Sequence, residues 1–99
     1  MKAFFVAAAE QTIKMVDVEN MADIEKLIGF ESVIADEISN STDQLFFDED
    51  CFIRSTPGRF QLDKLPPVAG KAVIMGLDGE TLQDTAFTAD ELTSRIQFL

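Results

Sequence analysis

The chain reads as a single α+β domain spanning residues 1–99, a mostly antiparallel twisted sheet of about six short strands with two short helices packed on it. Three observations predict this. Two runs, Ala3 to Ala9 and Lys71 to Leu77, are apolar on both faces, as central strands covered on two sides are. Turn signals recur along the chain, among them Ser39 to Asp43, Ser55 to Gly58 and Asp78-Gly79. Two segments carry helix-start chemistry, Asn20 with Asp23 and Thr88 with Glu91.

Ala3 to Ala9 is the first strand, and Glu10-Gln11 breaks it before a second run, Thr12 to Glu19, so the two form a hairpin. Asn20 then stands at a helix N-cap, and Met21, Ile24, Leu27 and Ile28 recur at helical spacing until Gly29 stops them. A two-turn helix is unstable alone, so its apolar stripe must lie on the sheet. Ser32 to Ile38 reads as a strand ended by the polar turn Ser39 to Asp43. A tight hairpin follows, with Asp48-Glu49-Asp50 as its loop. In that register Leu45, Phe47, Cys51 and Ile53 share one face, and Phe46 pairs with Phe52 on the other. Three adjacent carboxylates resist burial without counter-charges, so the tip is expected to be solvated.

Ser55-Thr56-Pro57-Gly58 is a turn, and Pro66-Pro67 excludes a strand ladder there, leaving Arg59 to Lys64 as a connection with at most a short edge strand. Lys71 to Leu77 is the second central strand, and Asp78-Gly79 turns it back into Glu80 to Asp84. The last helix opens on the Thr88/Glu91 capping box, with Ala89, Leu92, Ile96 and Leu99 as its apolar stripe.

Composition bounds the rest. Forty-six per cent of the residues are apolar, nine of them Phe, enough for a core and unlike an acidic disordered tail. For 11.0 kDa, surface scaling predicts about 5,600 Å² of exposed area. Met1 to Gln11 imitates a signal peptide, but its apolar run of seven residues is too short for one. No run approaches the ~18 apolar residues of a membrane span, and a single cysteine cannot form an internal disulfide. The expected setting is cytoplasmic, with no membrane and no cofactor.

Eighteen Asp and Glu against eight Lys and Arg, with no histidine, leave a formal net charge of −10. Direct binding to a phosphate backbone is disfavoured, and a basic partner is favoured. Without histidine, and without a nucleophile-elbow, Ser-x-x-Lys or phosphate-loop pattern, no catalytic residue is singled out and the chain is read as a non-enzyme. Cys51 follows three carboxylates that disfavour its thiolate, so it is read as a packed thiol. Asp48, Glu49 and Asp50 lack the staggered spacing of a calcium loop; they form a solvated acidic tip, with weak Ca²⁺ binding the lesser alternative. No metal site is assigned. Arg54, Arg59, Lys64 and Lys71, with Phe60 among them, are read as counter-charges rather than an anion site.

The remaining candidate is an acidic band, Asp17, Glu19, Asp23, Glu25, Glu31, Asp36 and Glu37, seven carboxylates against one lysine within residues 17 to 37. Such a band can present negative charge to a basic groove as a nucleic-acid backbone does. The bland reading is that the charge only keeps a small domain soluble.

The short N-terminal strand, the helix Asp23 to Phe30 closed by Gly29, the hairpin around Phe47 to Asp50 with its acidic tip, the Pro turn and the strand opened by Gly70 (Val68 to Gly76) together resemble a family of small acidic proteins from phages and mobile elements. That family has no established activity, so the resemblance implies a setting, an accessory gene of such an element in a bacterial host, and no functional residue. The expected function is a stoichiometric inhibitor whose acidic band occupies a basic, nucleic-acid-binding site on a host or defence protein. The chain is expected to be a monomer or weak homodimer; the alternative function is a small self-associating or assembly module that dimerises or docks through an apolar face such as the Phe46–Phe52 side, its charge serving solubility alone.

Overall fold

In the computed structural model, which describes residues 1–99, the elements are β1 (Lys2–Ala7), β2 (Thr12–Asp17), α1 (Met21–Ile28), β3 (Val33–Glu37), β4 (Asp43–Asp48), β5 (Arg59–Leu62), β6 (Val68–Ala69), β7 (Lys71–Asp78), β8 (Thr81–Gln83), α2 (Ala89–Arg95) and β9 (Ile96–Phe98). The main antiparallel sheet has the order β2-β1-β7-β4-β3, with β8 also paired to β7; β6-β5-β9 form a second, smaller sheet. The two runs apolar on both faces, β1 and β7, lie side by side in the middle of the main sheet.

Alternation along these strands builds two cores. Phe4, Val6, Leu45, Ala72 and Ile74 face one way and pack with Phe60, Leu62, Val68, Leu92 and Ile96, so the small sheet and α2 cover that side. Ala3, Phe46, Val73 and Met75 face the other way and pack beneath Ile24 and Ile28 of α1. The exposed area, 5709 Å², matches the scaling expectation, and no helix is long and apolar enough to cross a membrane.

Locally encoded features form as read. Asn20 caps α1 by accepting the Asp23 N–H at 3.1 Å, and Gly29 ends it at φ +94°, a left-handed conformation that glycine adopts without a Cβ penalty. The Thr88/Glu91 box caps α2, its two bonds being 3.0 and 3.2 Å. The β7–β8 hairpin is shifted by one residue from the expected turn, since Asp78 still pairs with Thr81 and the loop is Gly79-Glu80.

Four expectations fail, each for a non-local reason. β4 does not fold back onto residues 51–54; its partners are β3 and β7, and residues 49–55 form successive turns. Phe46 therefore lies opposite Val73, 3% exposed beneath α1, and has no Phe52 partner; Phe52 and Ile53 are exposed. The acidic tip is not uniformly solvated, because Asp48 is buried at 2% exposure beside Arg54. Arg59 to Leu62 is no edge: as β5 it is the middle strand of the small sheet, pairing Phe60 with both Val68 and Phe98. The apolar stripe of the last helix breaks at Arg95, where Ile96 turns extended (φ −97°, ψ 129°) and β9 docks on β5. The C-terminus is thus held by strand pairing, with Leu99 N–H on Arg59 C=O at 2.9 Å, while the Leu99 side chain is exposed.

Candidate functional site: an acidic end of the sheet

Strand register determines which acids meet. Lys2 lies opposite Asp17, and the β1–β7 register carried two residues on puts Lys2 level with Gly76, which lies opposite Asp43. Glu37, opposite Gln44, sits at the same end of the sheet on its far edge. The β7–β8 turn adds Asp78 and Glu80, and Asp84 accepts the Lys2 N–H at 2.8 Å. Asp23, in the first turn of α1, accepts the Glu19 N–H at 2.8 Å and shares a depression with Asp17, Glu19, Lys26 and Leu27.

One end of the sheet thus carries Asp17, Glu19, Asp23, Glu37, Asp78, Glu80 and Asp84, with Lys2, Lys26 and the N-terminal amine as cations of the same end. That amine already donates to Val18 C=O at 2.8 Å. The ion pairs of the chain are Arg54 with Asp48 and Asp50, and Arg95 with Asp63, so none of these seven carboxylates is neutralised by one. All but Asp23 are exposed.

The band read along the chain is therefore divided in space. Asp17, Glu19 and Asp23 converge, while Glu25 and Glu31 flank a second shallow depression with Lys26, Gly29 and Phe30. Asp36 and Glu37 lie on β3, four strand spacings from β2, about 19 Å at ~4.8 Å each. Alternation sends Asp36 to the face of Leu45 and Glu37 to the face of α1. Asp78, Glu80 and Asp84 escaped the linear reading because strand pairing, not chain proximity, brings them to the end.

The second candidate, Asp48 to Asp50, is a structural lock. Asp48 Oδ1 accepts Ser32 Oγ at 2.6 Å and the Asp50 N–H at 3.1 Å, and Oδ2 accepts Arg54 Nε at 2.8 Å. Burial alone raises its pKa, but these donors and the Arg54 charge outweigh it and hold the carboxyl below the usual aspartate range. Arg54 also donates to Ser32 Oγ at 3.1 Å and stacks 4.0 Å above the Phe30 ring. With its oxygens so occupied, Asp48 is not poised to hold Ca²⁺, and no group of three or more acidic, cysteine or histidine side chains is arranged for a metal.

Beside this lock, at the opposite end of the sheet, lies a mostly apolar cleft of about 340 Å³ between the end of α1, Pro57 and the Ala69–Lys71 strand start, with Glu10 and Lys71 among its lining residues. Cys51 is buried in the core and its sulfur accepts the Ala69 N–H at 3.5 Å, the packed thiol expected. The basic cluster disperses: Arg54 serves Asp48, Arg59 lies 5.2 Å over Phe52, Phe60 is fully buried, and Lys64 and Lys71 join no ion pair. Comparison with known protein families, curated proteins and solved structures gave no match.

Proposed function

We propose that the chain is a non-enzymatic binding protein whose acidic sheet end occupies a basic, nucleic-acid-binding site on a host or defence protein, as a stoichiometric inhibitor carried by a phage or other mobile element. The observation that supports it is the gathering of seven carboxylates, none in an ion pair, at one end of the sheet. Set against Lys2, Lys26 and the N-terminal amine they leave a net charge of about −4 over the ~19 Å width of the sheet, roughly one per 4.8 Å. Duplex DNA carries about one per 1.7 Å of axis, and each of its strands one per 3.4 Å. The net density is sparser than either, so the likeness to a nucleic acid is one of sign and spread and not of phosphate spacing.

Ordinary solubilising charge needs no such asymmetry. It is served as well by acids scattered over the whole surface. Affinity for the partner should fall steeply with salt, because both surfaces shed screening ions on contact. Replacing Asp17, Glu19, Asp78 and Glu80 by Lys should abolish it, with the thermal unfolding profile retained. Tight binding indifferent to salt and to the four reversals would sink the reading.

The alternative, assembly through a Phe46–Phe52 face, loses its surface because Phe46 is buried beneath α1. Phe46→Ser should unfold the domain rather than lower an oligomer's mass.

A further inference from the structure

Both long edges of the main sheet, β2 and β3, end it differently. β2 carries Lys14 and is flanked by α2, whereas β3 (Val33 to Glu37) has no Lys, no Pro and an unbroken register without a bulge. Its hydrogen-bond phase is set at both ends: Glu49 N–H donates to Ser32 C=O at 2.8 Å and Ile38 N–H donates to Asp43 C=O at 3.4 Å. Alternation then turns the backbone of Ile34 and Asp36 toward β4, and that of Val33, Ala35 and Glu37 outward. Val33 N–H is satisfied by Glu31 C=O at 2.9 Å. The outward N–H and C=O of Ala35 and Glu37 and the C=O of Val33 face no neighbouring strand.

We propose that β3 takes up an extended basic segment of a partner protein as an added strand of the main sheet. Main-chain bonds to Ala35 and Glu37 would supply the docking, and the side chains of the edge select the sequence. Asp36 and Glu37 are adjacent and project to opposite faces, so they call for two consecutive Lys or Arg residues, one on each face. Ile34, 38% exposed on the Asp36 face, calls for an apolar residue two positions beyond the cation opposite Asp36. A second copy of this chain is a poor occupant, since it brings a further net charge of −10 to an edge that already ends in two acids. The inference rests on the acidic-surface reading for the sign of the partner's charge, and on the edge geometry for the mode of docking.

The test is amide hydrogen exchange followed by NMR on the full chain, with and without the peptide acetyl-Thr-Lys-Lys-Thr-Val-Thr-amide. In the free protein the Ala35 and Glu37 amides should exchange freely while those of Ile34 and Asp36 are protected. The peptide should slow Ala35 and Glu37 by about tenfold or more, and its analogue N-methylated at alternate amides should not. Ala35→Pro removes an outward N–H that β4 does not use, so it should fold and lose the peptide. Should that variant unfold, the exchange in the unaltered protein still decides. Exchange at Ala35 and Glu37 unchanged by saturating peptide would overturn the proposal. If the same titration then shifts resonances at Asp17, Glu19 and Asp78 in a salt-dependent way, the acidic-end reading survives that failure; if it shifts none, both readings fall.

Discussion

Removing Arg54 tests whether a sequence patterned like an acidic hairpin tip instead builds a buried carboxylate lock. Arg54→Ala deletes the 2.8 Å charge-assisted bond to Asp48, the 3.1 Å bond to Ser32 and the stacking over Phe30. A hydrogen bond to a charged group contributes about 1.5–3 kcal/mol and an exposed cation–π contact about 0.5–1 kcal/mol. Arg54 is itself 36% exposed, so solvent screening discounts its charge, while Asp48 keeps the Ser32 and Asp50 donors. The expected loss is about 2–3 kcal/mol, which at ~4–8 °C per kcal/mol for a chain of this size lowers Tm by roughly 8–24 °C.

Urea titration at neutral pH measures it, and a double-mutant cycle with Asp48→Asn isolates the coupling, expected at about 1–2 kcal/mol. The pH dependence has a definite sign. Asp48 has a folded pKa held below its unfolded value, so its contribution is complete above the ordinary aspartate pKa of about 3.9 and is lost as pH falls through the folded value. The gap between wild type and Arg54→Ala should therefore be widest near neutrality and narrow in acid. A loss below about 0.5 kcal/mol, or two single changes that simply add, would refute the account of Asp48 as a paired, buried anchor.

Other outcomes follow from single contacts. Asp43 is fully buried and accepts Thr85 Oγ1 and, at 2.9 Å, the Ala86 N–H, so Asp43→Ala should cost about 2–4 kcal/mol and loosen amide protection between β8 and α2. Gly58 sits at φ +82° with Ala9 N only 2.3 Å from the place a Cβ would occupy; Gly58→Ala should lower the urea midpoint by the equivalent of about 2 kcal/mol or more. The bond from Arg95 holds the Asp63 carboxyl below its usual range against the opposing effect of burial, and the same bond, with the Asp63 charge behind it, raises the Arg95 pKa. Arg95→Ala should thus cost about 1 kcal/mol more at pH 7 than once Asp63 is protonated, when only its stacking 4.9 Å from the Phe87 ring is lost, read by thermal melts at both pH values. Cys51, 2% exposed, should react with a thiol reagent only as fast as the chain opens.

What the sequence discloses here is what local chemistry writes. Asn20, Asp23 and Gly29 mark α1 from start to stop because caps act over three or four residues. The doubly apolar runs disclose the central strands β1 and β7 because burial on two faces leaves no polar alternation to keep. The misread segment, 44 to 54, alternates on both sides of an acidic stretch as a hairpin would. What decides against it is the competition of β3 and β7 for both edges of β4, together with the placing of Arg54 six residues along as a counter-charge for Asp48. The β5–β9 pairing joins Phe60 to Phe98, too far apart for any local signal, and it overrode a helical stripe through Ile96. The acidic site was legible as a sign and a quantity of charge but not as a place. Asp17 and Glu19 were nameable from the chain; Asp78, Glu80 and Asp84 joined them only through register.

The most direct test of the central claim is affinity capture from bacterial lysate by the tagged protein and by its Asp17/Glu19/Asp78/Glu80 to Lys variant in parallel, both eluted in steps of rising salt. The account predicts that a nucleic-acid-handling protein is retained by the wild type, leaves at moderate salt, is missing from the variant, and is displaced from its nucleic acid by equimolar wild-type protein. Identical captures by the two proteins, or a partner that resists high salt and keeps its nucleic acid, would contradict it.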